Sequence, residues 1–90
     1  NINGKIDFEI INGNGKVKEY NILDYIIFEG EYLNGERNGK GEEYFINGDL
    51  KFEGEYLNGK RNGKGKIYDF DGKIKYEGEF LNGKIIKKSK

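Results

Sequence analysis

Hydrophobic and polar residues alternate along this chain in short runs, a pattern typical of strands with one buried face. The segment 50–57 is the clearest case. One of its faces carries Leu50, Phe52, Gly54 and Tyr56, and the other carries Lys51, Glu53, Glu55 and Leu57. No stretch has apolar residues at the i, i+3, i+4 and i+7 spacing of an amphipathic helix. The pattern therefore predicts an all-β chain without helices.

This alternating pattern recurs at a constant interval along the chain. Phe-Glu-Gly-Glu-Tyr-Leu-Asn-Gly at 28–35 returns unchanged at 52–59, and it returns as Tyr-Glu-Gly-Glu-Phe-Leu-Asn-Gly at 76–83. Arg-Asn-Gly-Lys-Gly at 37–41 returns at 61–65. A fixed period of this length indicates stacked copies of one supersecondary unit.

A weaker copy precedes these units. Gly4, Gly13 and Gly15 have the same internal spacing as Gly30, Gly39 and Gly41, but with an offset of 26, which predicts two extra residues within 21–25. We divide the array 1–83 into a degenerate repeat (2–27), two full repeats (28–51 and 52–75) and a half repeat (76–83), followed by a basic tail at 84–90. Because the chain starts at Asn1, we expect it to be a fragment of a longer protein.

Asn-Gly pairs indicate where the chain turns, because both residue types tolerate the positive φ angles of tight hairpins. Asn58-Gly59 and Asn62-Gly63 bracket one predicted loop, and Asp71-Gly72 marks the next turn. Repeating this arrangement along the array predicts an all-β repeat solenoid, a single rod of about seven strands.

Pairing like residues with like predicts the register. It places Phe52 opposite Phe70 and Tyr68 opposite Tyr76, and it lays the Tyr68 ring across the bare position Gly54. The aromatic face that results consists of Phe28, Tyr32, Tyr44, Phe52, Tyr56, Tyr68, Phe70, Tyr76 and Phe80. Gly30, Gly54 and Gly78 are expected to make room for rings, and Gly39 and Gly63 to supply positive φ angles at turns and a bulge. Because no helix is available to cover this face, it must curl on itself or bind a partner.

Composition narrows the classes of function. The 16 basic and 16 acidic residues cancel, so the chain has no basic excess for nucleic acid. It contains no Cys, His, Met or Trp, which removes disulfides, thiol and histidine catalysis and nearly every transition-metal site. We therefore expect no cofactor and no catalysis, and we interpret paired glutamates such as Glu53 and Glu55 as a solvated face. The apolar runs are too short to span a membrane.

The repeated sequence Tyr/Phe-Glu-Gly-Glu-Tyr/Phe-Leu-Asn-Gly, followed by Arg-Asn-Gly-Lys-Gly, resembles the MORN repeat (membrane occupation and recognition nexus). The resemblance is close over 28–83, and within 2–27 only the glycine spacing matches. It implies an elongated, twisted antiparallel sheet with one hairpin per repeat. It also implies scaffolding, oligomerisation or the proposed binding of anionic phospholipids.

Basic residues that suit a lipid headgroup are Lys60, Arg61 and Lys64 in the array, and Lys84, Lys87 and Lys88 in the tail. The tail carries four lysines, which leaves residues 1–83 with 12 basic and 16 acidic residues. In the preceding repeat, the positions of Lys60 and Lys66 hold Glu36 and Glu42, so the array has no repeated basic stripe.

The sequence therefore predicts a non-catalytic interaction or scaffold module that uses an aromatic groove for a peptide or for a second copy of itself. A peripheral membrane module that binds anionic phospholipids is one alternative, and an accessory segment of a larger enzyme is another. We expect a cytoplasmic location, with the option of membrane or cytoskeletal association.

Overall fold

The computed structural model describes residues 5–11 and 14–88, and within this part of the chain every regular element is a strand. Eight strands form one antiparallel sheet in chain order. They are β1 (Lys5–Ile11), β2 (Asn14–Tyr20), β3 (Ile26–Leu33), β4 (Glu36–Tyr44), β5 (Leu50–Leu57), β6 (Lys60–Tyr68), β7 (Ile74–Leu81) and β8 (Lys84–Lys88). The predicted all-β meander without helices is confirmed for these residues.

The eighth strand lies in the segment that the sequence analysis treats as a basic tail. Lys84 and Ile85 pair with Leu81 and Phe80, so this backbone continues the sheet. The reason is the tight turn at 82–83, which directs the chain back along β7. The expected count of about seven strands is therefore one too low.

Two kinds of connection alternate along the sheet. Two-residue turns join β3 to β4, β5 to β6 and β7 to β8, and in each the Asn and the Gly both have positive φ angles; at Asn58-Gly59 these are 52° and 86°. Such turns match the twist of the strands that they join. Five-residue loops at 21–25, 45–49 and 69–73 make the other connections.

The equal length of these loops corrects the alignment of the first, degenerate repeat. Residues 21–25 contain no insertion, and the interval that separates Gly39 from Gly63 also separates Gly15 from Gly39. Val17 therefore occupies the position that Gly41 holds in the next repeat: Val17 pairs with Gly30 as Gly41 pairs with Gly54. The offset of 26 was a coincidence of glycine spacing, and Gly4 and Gly13 lie outside the described residues.

The hairpin turns at 58–59 and 82–83 are also bonded to the hairpin before them. The amide of Gly59 donates to the carbonyl of Arg37 at 2.9 Å, and the amide of Asn58 donates to Asn38 Oδ1 at 3.4 Å. The same two bonds recur one repeat later, from Gly83 to Arg61 and from Asn82 to Asn62 Oδ1. Asn38 and Asn62 therefore anchor the next turn instead of forming one.

The predicted register is wrong. Phe52 pairs with Ile67 instead of Phe70, and Tyr76 also pairs with Ile67 instead of Tyr68. Gly54 faces Gly65, so no tyrosine ring covers it. The cause is the short turn at 58–59 together with a bulge in β6, where residues 62–64 lie opposite Glu55 alone, between the pairs Gly54–Gly65 and Tyr56–Arg61.

The buried face of the sheet, here called the ring face, contains Phe28, Phe52, Tyr56, Tyr76 and Phe80. Its rings pack edge to face, with centroids 5.2 Å apart for Phe28 and Tyr56 and 5.4 Å apart for Phe52 and Phe80. Both Phe28 and Phe52 are completely buried. A single curled sheet therefore covers its own aromatic rings.

A row of paired glycines makes this close packing possible. Gly30, Gly41, Gly54, Gly65 and Gly78 lie side by side across β3 to β7. A Cβ at Gly54 would stand 2.7 Å from the Gly65 Cα and 2.8 Å from the Phe52 Cζ. The prediction that Gly30 and Gly54 make room for rings is thus confirmed, but the covering rings are Phe28 and Phe52.

Three predicted members of the aromatic face lie elsewhere. Tyr44 and Tyr68 donate their hydroxyls to Glu42 and Glu53 on the opposite side of the sheet. Phe70 lies in the loop 69–73 and is 72% exposed. The shifted register brings Ile67 to the ring face instead of its neighbour Tyr68.

Candidate interaction groove

A groove of about 940 Å³ crosses the sheet on the side opposite the ring face. We call this side the carboxylate face, after its glutamate pairs Glu29/Glu31, Glu53/Glu55 and Glu77/Glu79. The floor of the groove is the row of paired glycines from Gly30 to Gly78. Because a side chain at these glycine positions would point to the ring face, main chain forms the floor, and the charged residues on either side of each glycine form two walls.

The two walls differ in charge. One is made of opposite pairs across neighbouring strands: Lys16 with Glu31, Lys40 with Glu55 and Lys64 with Glu79. We call it the neutral wall.

The other wall places Glu29, Glu42 and Glu53 directly beside one another on β3, β4 and β5, between Lys18 on β2 and Lys66 on β6, with Glu77 beyond on β7. We call it the glutamate wall. Like charges at directly opposed strand positions repel. This wall therefore attracts cationic groups.

Two tyrosine hydroxyls support the glutamate wall from within the chain. Tyr44 donates to Glu42 at 2.7 Å, and Tyr68 donates to Glu53 at 2.6 Å. The bond to Glu53, followed by burial, raises the pKa of Tyr68 to about 12. Burial and the bond to Glu42 raise the pKa of Tyr44 as well. Both hydroxyls therefore stay protonated at neutral pH and keep donating to the wall.

The two members of each glutamate pair have different roles. Glu31 and Glu55 accept the backbone amides of Lys40 and Lys64, each at 2.9 Å, where Gly39 and Gly63 have φ angles of 104° and 105°. The predicted role of these glycines, a positive φ at a bulge, is confirmed. A side chain at Gly39 or Gly63 would overlap the glutamate carboxylate. Glu31 and Glu55 therefore stabilise the backbone of the bulge.

The ring face holds its own polar network. Arg61 bonds to the Glu43 carboxylate through two nitrogens, at 3.1 and 2.9 Å, and Tyr56 donates to the same carboxylate at 2.6 Å. The Arg61 guanidinium also lies 4.2 Å from the centre of the Phe52 ring. The prediction that Arg61 contacts lipid headgroups is wrong, because its guanidinium is committed to Glu43 and to this ring.

The other predicted lipid-binding lysines do not form one patch. Lys60 and Lys84 directly follow hairpin turns, where both are exposed, whereas Lys64 lines the neutral wall of the groove. The side chains of Lys87 and Lys88 lie outside the described part of the chain. The structure thus separates Lys64 from Lys60 and Lys84.

Exposed apolar residues gather on the five-residue loops, which the sequence analysis did not single out. Ile22, Ile46 and Phe70 occupy the second position of the three successive loops, and all three are exposed. Phe70 stacks on Phe45 with ring centroids 4.3 Å apart, next to a cleft of about 500 Å³. The available signal was the recurrence of a large apolar residue at the same loop position in each repeat.

The comparisons with known proteins agree with this repeat structure. The family model of the MORN repeat matches residues 28–50, 52–74 and 76–85. A search of the curated proteins finds no match. MORN repeats are non-catalytic repeat modules and are generally involved in interactions with proteins or membrane lipids. The described residues include no helix that is long and apolar enough to cross a membrane.

Proposed function

This chain belongs to the MORN repeat family, and from that premise we propose that it is a non-catalytic protein-interaction module whose groove holds an extended segment of a partner protein. The family model covers more than half of the 90 residues. The observation that carries the proposal is the groove itself, with a bare main-chain floor that extends across five consecutive strands.

The burial of the rings moves the proposed binding surface from one face to the other. Phe28 and Phe52 have no exposed surface, and Tyr56 and Phe80 are almost as deeply buried. A partner could reach these rings only by opening the sheet. The carboxylate face is open and concave, so a partner binds there without any rearrangement.

The width of the groove favours an extended chain over a helix. Its walls are residues two apart on each strand, such as Glu53 and Glu55, which are separated by about 7 Å along the strand. A helix with its side chains is about 10 Å wide or more and would rest on top of the walls. From β3 to β7 the floor is about 19 Å long, which accommodates about six extended residues.

The charge of the groove indicates the chemistry of that segment. Seven glutamates and four lysines line it: Glu29, Glu31, Glu42, Glu53, Glu55, Glu77 and Glu79, with Lys16, Lys40, Lys64 and Lys66. The lysines of the neutral wall already face glutamates. The glutamate wall therefore favours lysine or arginine side chains on one side of the bound segment.

The test is binding of a fluorescein-labelled peptide of about eight residues, long enough to span the floor, in which lysine alternates with serine. We expect saturable binding that weakens with salt, and none with the matching glutamate–serine peptide. Glu29→Gln and Glu77→Gln should each weaken binding by about two- to fivefold, as expected for one exposed ion pair. Glu36→Gln, which removes a charge from a hairpin turn, is the matched control.

The remaining outcomes count against the proposal. Equal losses for Glu36→Gln and Glu29→Gln would mean that the peptide is attracted by overall charge and not by the groove. Flotation with phosphatidylserine vesicles, without peptide binding, would favour the membrane module. A sedimentation coefficient that rises with protein concentration, again without peptide binding, would favour self-association.

A further inference from the structure

Three side chains from three consecutive strands meet on the ring face at the first repeat junction. Tyr32 donates to Glu19 at 2.5 Å, and Arg37 bonds to both oxygens of the same carboxylate at 2.8 and 2.9 Å. Glu43, Tyr56 and Arg61 form the same arrangement at the next junction. We call each of these groups a Glu–Tyr–Arg set.

The third repeat replaces all three members of the set together. The residues one repeat after Glu43, Tyr56 and Arg61 are Ile67, Phe80 and Ile85. Phe80 is buried, it pairs with Ile85, and Ile67 packs against the same core. Within this chain a set is therefore either entirely polar or entirely apolar, and no junction among the described residues mixes the two.

The environment explains why mixed sets are absent. The Glu19 and Glu43 side chains are only 14% and 16% exposed, so each needs its arginine and its tyrosine hydroxyl nearby. A buried carboxylate that loses its partner is strongly unfavourable, whereas a fully apolar replacement of the whole group is tolerated.

Successive sets are also connected to one another. Arg37 lies 3.8 Å from Glu43 of the next set, as well as being bonded to Glu19, and its guanidinium lies 4.2 Å from the centre of the Phe28 ring. Arg61 is bonded to Glu43 on one side, and on the other it lies 5.8 Å from the Phe80 ring. Arg61 therefore marks the change from polar to apolar sets.

We propose that the sets encode the order of the hairpins along the sheet. The segments 28–35 and 52–59 are identical in sequence, so strands displaced by one repeat bury nearly the same rings over the same glycines. The sets are what differ. If the hairpin β7–β8 took the place of β5–β6 beside β4, Glu43 would face Phe80 and Ile85, would lose the bonds from Arg61 and Tyr56, and would keep only Arg37 at 3.8 Å. The loss of these three bonds to a largely buried carboxylate then opposes the skipped arrangement.

The experiment traps the skipped arrangement with a disulfide, which is unambiguous because the chain contains no cysteine. Glu42 pairs with Glu53 in the native sheet, and a displacement by one repeat would place it beside Glu77 instead. In a Glu42→Cys/Glu77→Cys protein, the two thiols are three strands apart when the hairpins are in order. The protein is refolded in dilute oxidising buffer, so that crosslinks form within single chains. A non-reducing gel then measures the crosslinked fraction, which reports the skipped arrangement.

Two backgrounds make all the sets alike. The first converts Ile67→Glu, Phe80→Tyr and Ile85→Arg together. The second converts Glu19 and Glu43 to Ile, Tyr32 and Tyr56 to Phe, and Arg37 and Arg61 to Ile. Both should keep the all-β circular dichroism spectrum and a cooperative thermal transition, and in both the crosslinked fraction should rise several-fold over the natural sequence.

A matched control separates ordering from stability. Phe70→Ala, at an exposed loop position, should leave the crosslinked fraction unchanged. If one uniform background does not fold, the other decides the question. A folded uniform background with no more crosslink than the natural chain would overturn the proposal, and so would the failure of both backgrounds to fold, because the sets would then not be interchangeable units.

Discussion

The two sides of the glycine row are made of the same strands but have opposite properties. On the ring face, Phe28 and Phe52 lie directly over the bare glycines and are sealed from solvent. On the carboxylate face, the same glycines are the open floor of a charged groove. One feature of the backbone thus serves stability on one side and, in the function that we propose, recognition on the other. Changes on the two sides should therefore separate loss of folding from loss of binding.

The largest contrast is expected between two neighbouring residues, Phe52 and Glu53. Phe52→Ala removes a completely buried ring and should lower the free energy of unfolding by about 4 kcal/mol. Glu53→Gln keeps an acceptor for Tyr68 and should change the free energy of unfolding by less than about 0.5 kcal/mol. Urea unfolding followed by circular dichroism measures both. A similar effect of the two changes would contradict the assignment of the faces.

The second contrast is between two glycines. Gly54→Ala places a methyl group within 2.8 Å of the Phe52 ring and 2.7 Å of the Gly65 Cα, so it should cost about 2 to 3 kcal/mol. In Gly15→Ala the methyl group would meet the Tyr32 carbonyl oxygen at an ordinary 3.6 Å, so this variant is the control. Thermal unfolding of the two variants side by side tests the close contact. Equal stability would mean that the ring does not need the bare position.

The third contrast concerns acid and the two kinds of carboxylate. Burial alone raises the pKa of Glu43, but the bonds from Arg61 and Tyr56 outweigh it and hold this pKa below the ordinary value of 4.5. A lowered native pKa stabilises the fold above that value, and the contribution disappears as the pH falls through the native pKa. The natural chain should therefore lose stability from this group as the pH falls from 7 to 3.

Replacing the whole set should reduce the loss of folding stability at acid pH. The variant Glu43→Ile/Tyr56→Phe/Arg61→Ile has no carboxylate at this site and should depend less on pH in chemical unfolding at pH 7, 5, 4 and 3. Glu36→Gln, on a hairpin turn, should leave the pH dependence as it is. An unchanged slope in the triple variant would contradict the assigned role of Glu43.

The smallest effect is expected from a single hydroxyl. Tyr56→Phe removes the donor to Glu43 but leaves both bonds from Arg61, so it should cost about 1 kcal/mol. Phe80, at the same position of the next repeat, has no hydroxyl and faces no carboxylate. Phe80→Tyr should therefore fail to stabilise the chain unless Ile67→Glu and Ile85→Arg accompany it. A gain from Phe80→Tyr alone would show that the members of a set act independently.

The sequence was sufficient for the repeat, the strands and the side of β5 that is buried. Alternation over Phe52, Gly54 and Tyr56 reports burial directly, because strand side chains alternate in direction. Register was not accessible in the same way. Pairing like with like preferred Phe70 as the partner of Phe52, whereas the two-residue turn and the bulge at Gly63 selected Ile67. A register error of an odd number of residues moves every side chain of the strand to the opposite face of the sheet. This error placed Tyr44 and Tyr68 on the wrong face.

The candidate site was accessible only in part. The glutamate pairs are visible in the sequence, but their role as groove walls depends on the alignment of the glycines across five strands, which follows from the register. The Glu–Tyr–Arg sets were also missed, since each glutamate is 13 residues from its tyrosine and 18 from its arginine, and the three come from three different strands. A comparison of positions 43, 56 and 61 with 67, 80 and 85 would have shown the coordinated replacement.

The bonds that fasten each hairpin turn to the preceding one have a consequence for size. Because they recur from one repeat to the next, a further copy of the repeat adds two strands without disturbing those already present. Each such addition lengthens the floor by about 10 Å, the span of about three extended residues. If the groove binds an extended segment as we propose, the number of repeats sets the length of the partner segment that fits.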